Sequence, residues 1–224
     1  MQQVPRPARD AAVGDLTDDA LLLRELCHRT AVEAAGALAA LRLAIGGGPP
    51  SSGRRLMEQA AGRLQGLGEL NRLLGRSLPG RVDVGPAVHD VCVALGKGRQ
   101  GAGASRMHLD LGAAPMEGGA ARRLLLVAAE LVGDAVRGAL QDRAGRLRVA
   151  LRADAGGVSL VVEDDGPGPR LLPAGEDDGD HRSVVLELVA RAEGTMTLVT
   201  GRRGTRVTVW VPHGLEDEDE DLPF

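Results

Sequence analysis

The chain has 224 residues, 43% of them hydrophobic, enough for one ordinary domain plus a smaller one; with one Phe, one Trp and no Tyr the core must be aliphatic. Twenty-seven basic against 31 acidic residues give a net charge of -4, so there is no electrostatic case for nucleic acid or an anionic membrane surface, and partners are expected among proteins or small molecules. The opening "MQQVPRPARDAAVGD" lacks the apolar core of a signal peptide and no run reaches the roughly 20 residues a spanning helix needs, so the chain reads as cytosolic.

Residues 1–14 read as a disordered lead. Thr17, followed by Asp18 and Asp19, is a helix start, a hydroxyl cap with carboxylates where the helix dipole favours them. Leu23, Cys27, Thr30, Ala34, Leu38, Leu41 and Ile45 then recur at steps of four and three, the stripe of a bundle helix, until "GGGPP" at 46–50 ends it. A second helix is expected from Ser51 or Ser52 through "RRLMEQAAGRLQGLGELNRLLGRSL", with Leu56, Ala60, Leu64, Leu67, Leu70 and Leu74 on one side. The short connection makes the two antiparallel neighbours. A lone pair cannot hide both stripes, so residues 15–78 are expected to form a homodimeric four-helix bundle.

"PGR" at 79–81 marks a boundary, and 82–213 reads as a second domain. "VDVGPAVHDVCVALG" is predicted as a helix, "RMHLDLG" as a short strand, and "EGGAARRLLLVAAELVGDAVRGAL" as a long helix with Leu125, Ala129, Val132 and Val136 inward. Leu147, Val149 and Leu151 alternate with arginines; Val158, Leu160 and Val162 alternate again after "DAGG". A helix over 183–193 and a hairpin with "GRRG" at its turn lead to Val207, Val209 and Val211. The fold class is therefore α+β, a mostly antiparallel sheet with helices on one face. The acidic tail 214–224, with "EDEDED", is a like-charge run expected to be solvated and disordered.

Cys27 and Cys92 have no metal-ligand spacing and read as reduced, buried thiols; no zinc or other metal site is expected. His89, His108, His181 and His213 have no partners at meaningful spacing and read as structural or surface residues. "LGKGRQGAGAS" is not a phosphate loop, because Lys97 is followed by Gly98 and no G-x-x-x-x-G-K frame exists. Glu130 and Asp134 sit one helical turn apart and share a face. Asp164 ends a strand before Gly166, Pro167 and Gly168, a turn where backbone can approach a ligand.

The order "E-L-V-G-D-A", "D-D-G-P-G", a helix and "GTRVTVWVP" resembles the catalytic domain of histidine kinases, the Bergerat-type ATP-binding fold. In that family the first motif carries an asparagine that helps hold Mg²⁺, and the aspartate of the second binds the adenine amino group. Glu130 and Asp164 match, while Asp134 replaces the asparagine. For Asp134 a ligand role and an ion pair with Arg137 are both open. "LLLRELCHRT" is similar to the phosphoacceptor segment of kinases that read E-L-x-H-R, which makes His28 the phosphorylated residue; taken alone, it would be a half-exposed helical histidine.

Departures from the kinase pattern decide the expected function. Between Gly168 and Gly179 the segment is short, and Glu176, Asp177, Asp178 and Asp180 join Asp134 near where phosphates would lie; like charges there disfavour tight ATP binding. About fifteen residues precede the first helix, too few for an input domain. These features resemble histidine phosphotransferases of the ChpT type, which relay phosphoryl groups between response-regulator receiver domains. The resemblance implies a cofactor-free protein, with Mg²⁺ supplied by the receiver. Arg24 and Arg29 are candidates to offset phosphoryl charge or are solvated surface residues, and Thr30, Ala31 and Glu33 are candidate receiver contacts. Two other readings stand beside it. One is an ATP-dependent kinase of the E-L-x-H-R class without its own sensor, although Val32 and Glu33 stand where those kinases carry asparagines. The other is a non-catalytic dimeric scaffold or anti-sigma-like module.

Overall fold

The computed structural model describes residues 2–3, 30, 34–42, 44, 50–97, 106–139, 145–166, 179–201 and 204–213. Its strands are β1 (Gln2–Gln3), β2 (Arg81–Asp83), β3 (Arg106–Leu111), β4 (Pro115–Glu117), β5 (Arg146–Ala153), β6 (Gly157–Asp164), β7 (Thr195–Gly201) and β8 (Gly204–Pro212). Residues 34–42 are helical, and the helices after them are α1 (Pro50–Leu74), α2 (Gly85–Gly96), α3 (Gly118–Ala139) and α4 (Gly179–Arg191).

Period-two alternation builds the main sheet, whose strand order is β1-β7-β8-β6-β5-β3. Register sets Val149 beside Val162 and then Val207, and Leu151 beside Leu160 and then Val209. All six are buried, so the apolar side chains form one inner face. Three helices, α2, α3 and α4, pack as one layer on that face, the α+β sandwich expected from the sequence. The opposite face carries the alternating charged residues. There Arg148 bridges Asp110 and Glu163 at 3.1 Å each, Arg206 pairs with Glu163, and Arg152 reaches Asp110 at 2.5 Å. Hydrogen bonding to Arg152 and Arg148 holds the Asp110 carboxyl below its ordinary range. Burial raises Glu163, but Arg148 and Arg206 outweigh it and the net direction is down.

Three details depart from the sequence reading. Residues 82–83, expected in a helix, belong to β2, which pairs with β4. Pro86 disfavours helix before it, and Asp83 Oδ1 instead accepts hydrogen bonds from Gly85 N at 3.0 Å and Ala114 N at 2.8 Å. The last helix begins at Gly179, earlier than expected. Gln2 and Gln3, within the lead expected to be disordered, pair with Leu198 and Thr197 of β7, whose outer edge would otherwise offer unpaired backbone groups.

α1 has two packed faces. Toward the sheet domain, Gly66 meets α2 so closely that a Cβ there would lie 2.2 Å from Ala94 O, and Glu69 pairs with Lys97 at 2.5 Å. Leu70 and Leu74 continue that face into the core built around α3 and the sheet. Toward the preceding helix the seam is made of small residues: Ala37, Ala40 and Ala60 form a separate buried cluster, and a Cβ on Gly53 would lie 3.3 Å from Ala44 O. The larger apolar residues of the hairpin point elsewhere, with Leu38 49%, Leu41 37%, Met57 49% and Leu64 44% exposed in the single chain. Among the described residues no helix is long and apolar enough to cross a membrane.

Candidate functional site

α3 lies against β5, β6 and β8, which explains why its residues from Leu124 to Val132 are all buried. Glu130 is among them, only 3% exposed, and it is not without a polar or ionic interaction. One turn on, Asp134 Oδ1 accepts from Arg137 Nη2. Both side chains are mostly covered, at 16% and 18% exposure, and Gly133 leaves room for the guanidinium, since a Cβ there would sit 3.4 Å from Arg137 Nη1. Of the two roles open for Asp134, the ion pair is made. Its charge is offset before any ligand arrives.

The second motif lies where β6 leaves the sheet. Asp164 Oδ1 accepts from Gly166 N at 2.7 Å, folding the carboxylate over its own turn. Asp165 is tied to the start of β5: its Oδ1 accepts from Arg146 N at 2.8 Å, and its own N donates to Arg146 O at 3.2 Å. The floor of this turn is Gly204, which has φ +118 and sits so near β6 that a Cβ would fall 1.8 Å from Asp164 O. Only glycine fits there. Thr205 follows it, opposite Asp164 in the β6–β8 register and 5% exposed, and its Oγ1 has no hydrogen-bond partner among the described residues. A buried hydroxyl without a partner costs free energy and marks a position where a ligand or water would be accepted. The sequence reading gave Thr205 no role; the signal was the Gly-Thr pair opening the last strand.

The structure thus joins Asp164, Gly166, Gly204 and Thr205 at the linked ends of β6 and β8, and sets Glu130, Asp134 and Arg137 on one helix. Gly179 is the first residue of α4. Gly168, Glu176, Asp177 and Asp178 lie outside the described residues, and of Asp180 and His181 only the helical backbone is described.

His28, Arg24, Arg29, Ala31 and Glu33 also lie outside the described residues, as does Cys27. Thr30 is helical and exposed. Of the other histidines, His89 is exposed with Nδ1 3.3 Å from Asp90 Oδ1, and His108 is exposed on β3. His213 is structural: Nδ1 lies 2.9 Å from Pro115 O and Nε2 2.8 Å from Asp154 O, tying the end of β8 to β4 and to the β5–β6 turn. Cys92 is a free, buried thiol whose pKa burial pushes up to about 12, so it is unreactive. Among the described residues no group of three or more His, Cys, Asp or Glu side chains is placed to hold a metal ion.

No protein-family model and no curated protein matches the chain. Solved structures do. A histidine kinase domain from the Erythrobacter litoralis blue-light-activated kinase EL346 is similar at 20% identity and TM-score 0.53, covering 87% of this chain and 92% of that one. The longer EL346 structure is similar at 17% identity and TM-score 0.53 over 92% of this chain, which spans 62% of its length. A structure described as a bacterial phosphotransferase is similar at 16% identity and TM-score 0.56, covering 89% of this chain and 98% of that one. At these identities the likeness establishes the fold alone: the chain shares the helical and α/β-sandwich architecture of those histidine kinase and phosphotransferase structures.

Proposed function

We propose that this chain is a histidine phosphotransferase, which takes a phosphoryl group from the aspartyl phosphate of one response-regulator receiver domain onto His28 and passes it to another. The kinase-core fold, shared with a structure described as a phosphotransferase, supports a histidine-based role. The observation that carries the choice of relay over kinase is the Asp134–Arg137 ion pair. It stands where the family resemblance puts the Mg²⁺-holding asparagine, and a metal–triphosphate would have to displace the guanidinium and compete with it for the carboxylate. These residues do not fit a Mg²⁺–nucleotide. No cofactor is needed by the chain itself, and the receiver brings its own Mg²⁺.

The open Leu38, Leu41, Met57 and Leu64 support a second copy as partner, since apolar helix faces of this kind are covered in stable bundles. On this reading His28 is the nucleophile of the transfer. One unprotonated imidazole nitrogen attacks phosphorus, an N–P bond forms, and the P–O bond to the aspartyl carboxylate breaks with its electrons returning to that carboxylate. Transfer to the next receiver is the reverse. Arg24 and Arg29 offset charge on the moving group, while Thr30, Ala31 and Glu33 contact the receiver.

The test is to mix the protein separately with a labelled phospho-receiver and with labelled ATP. Acid-labile label from the receiver alone is the expected result; label from ATP contradicts it. One observation favours a second reading, an ATP-dependent kinase: the unpartnered Thr205 hydroxyl beside Asp164 keeps a polar pair of the kind that would take a nucleobase. A thermal shift with ATP and Mg²⁺ that disappears in Thr205→Val would establish that reading.

A further inference from the structure

The main sheet ends in an open edge. β3 is its last strand and pairs with β5 alone. Arg106 N donates to Gly145 O at 3.1 Å and Gly112 N to Leu151 O at 3.0 Å, so the even-numbered residues of this parallel ladder turn their backbone groups toward β5. The N–H and C=O groups of Met107, Leu109 and Leu111 therefore point outward, and they meet no other strand among the described residues.

Both faces of this edge are unfinished. On the inner face Leu147, Val149 and Leu151 of β5 are fully covered, whereas Met107, Leu109 and Leu111 beside them are only partly buried. On the outer face Asp110 and Glu163 answer Arg148, Arg152 and Arg206. Arg106 and Arg146, neighbours in the register and both exposed, have no ion pair among the described residues. Like charges side by side in a sheet repel one another unless something outside them offsets the charge.

We infer that the outer edge of β3 is an interaction surface that takes an extended acidic segment of another protein as an added strand. Its backbone pairs with the outward groups of Met107, Leu109 and Leu111. Because side chains alternate, such a segment carries aliphatic residues at every second position, laid against Met107 and Leu109, and carboxylates between them, laid against Arg106. Arg146 lies one strand further in, about 10 Å from the added backbone, within the joint reach of a Glu and an Arg side chain. Charge selects this occupant over a second copy of the chain, which would bring the same surplus of arginines to the seam. The surface uses neither the β6–β8 pocket nor the phosphoacceptor helix.

The experiment uses the full chain and two blocked peptides as long as β3, one alternating Val and Glu, the other alternating Val and Lys. Residue-resolved amide hydrogen exchange reads the edge. In the free chain Met107, Leu109 and Leu111 are expected to exchange fast while His108 and Asp110, bonded to β5, exchange slowly. The saturating Glu peptide should slow the first three by at least about tenfold, and the Lys peptide should leave them unchanged. Arg106→Glu combined with Arg146→Glu should weaken the Glu peptide about tenfold and turn the preference toward the Lys peptide. Slow exchange of Met107, Leu109 and Leu111 in the free chain overturns the inference, because the edge is then already covered by this chain or by a second copy. So does equal binding of the two peptides by the wild type, or protection by the Glu peptide that leaves β3 untouched. These wild-type results decide the matter even if the double variant does not fold.

Discussion

The sheet domain and the helical hairpin treat their apolar residues in opposite ways. In the first, Leu147, Leu151, Leu160 and Val209 are all fully covered by one chain; in the second, Leu38, Met57 and Leu64 stand nearly half open while Ala37, Ala40 and Ala60 make the seam. Small residues let two helices approach closely but bury little area, so the hairpin gains little from its own packing. Its larger side chains contribute only when something covers them, which on the proposed reading is a second copy. The sheet domain closes its core within one copy, and the proposed dimer would do the same for the hairpin.

Substitutions in the two regions sharpen that contrast. Leu160→Ala, in the sheet core, should cost about 2–5 kcal/mol of unfolding free energy, read by urea titration, whereas Leu64→Ala at low protein concentration should cost under about 1 kcal/mol. Equal costs would erase the distinction. Leu38→Glu combined with Met57→Glu should convert a dimer to a monomer in sedimentation while the far-ultraviolet signature of the sheet persists; an unchanged mass would show that this stripe is not the dimer face. Gly66→Val drives a side chain into Ala94 O and should loosen α1 from α2, at about 1–3 kcal/mol, with faster hydrogen exchange along α2 than in β6.

The smallest effect is electrostatic and belongs to the outer sheet face. Asp110 has its folded pKa lowered by Arg152 and Arg148, so its contribution is fully present above the unfolded value of about 3.9 and is lost as pH falls through the lowered folded value. Asp110→Asn should therefore flatten the acid limb of a melting-temperature profile below about pH 4, leaving neutral pH nearly unchanged. Parallel profiles for the two proteins would remove the pair from the account.

Much of the sheet domain is legible in the sequence because its strands alternate strictly and its helices are long. β2 and β4, three residues each, are too short for periodicity to speak, and the Asp83 hydrogen bonds that hold β2 join residues far apart in the chain. The hairpin seam is hidden for another reason. Hydropathy gives weight to Leu38, Leu41 and Leu64, while the residues that set the contact are alanines and glycines. Likewise α1 reads as one stripe, yet Leu70 and Leu74 belong to the sheet-domain core. At the site, the Asp134–Arg137 pair is visible from an i, i+3 spacing. Thr205 is not, because strand register rather than sequence distance brings it opposite Asp164.

The central claim is best tested by mapping the phosphate itself. After incubation with a phosphorylated receiver, the chain should carry acid-labile phosphate on the peptide containing His28 at up to one group per chain, and His28→Gln, still dimeric and folded, should carry none. Phosphate found on another residue, or retained by the His28→Gln protein, would contradict the account.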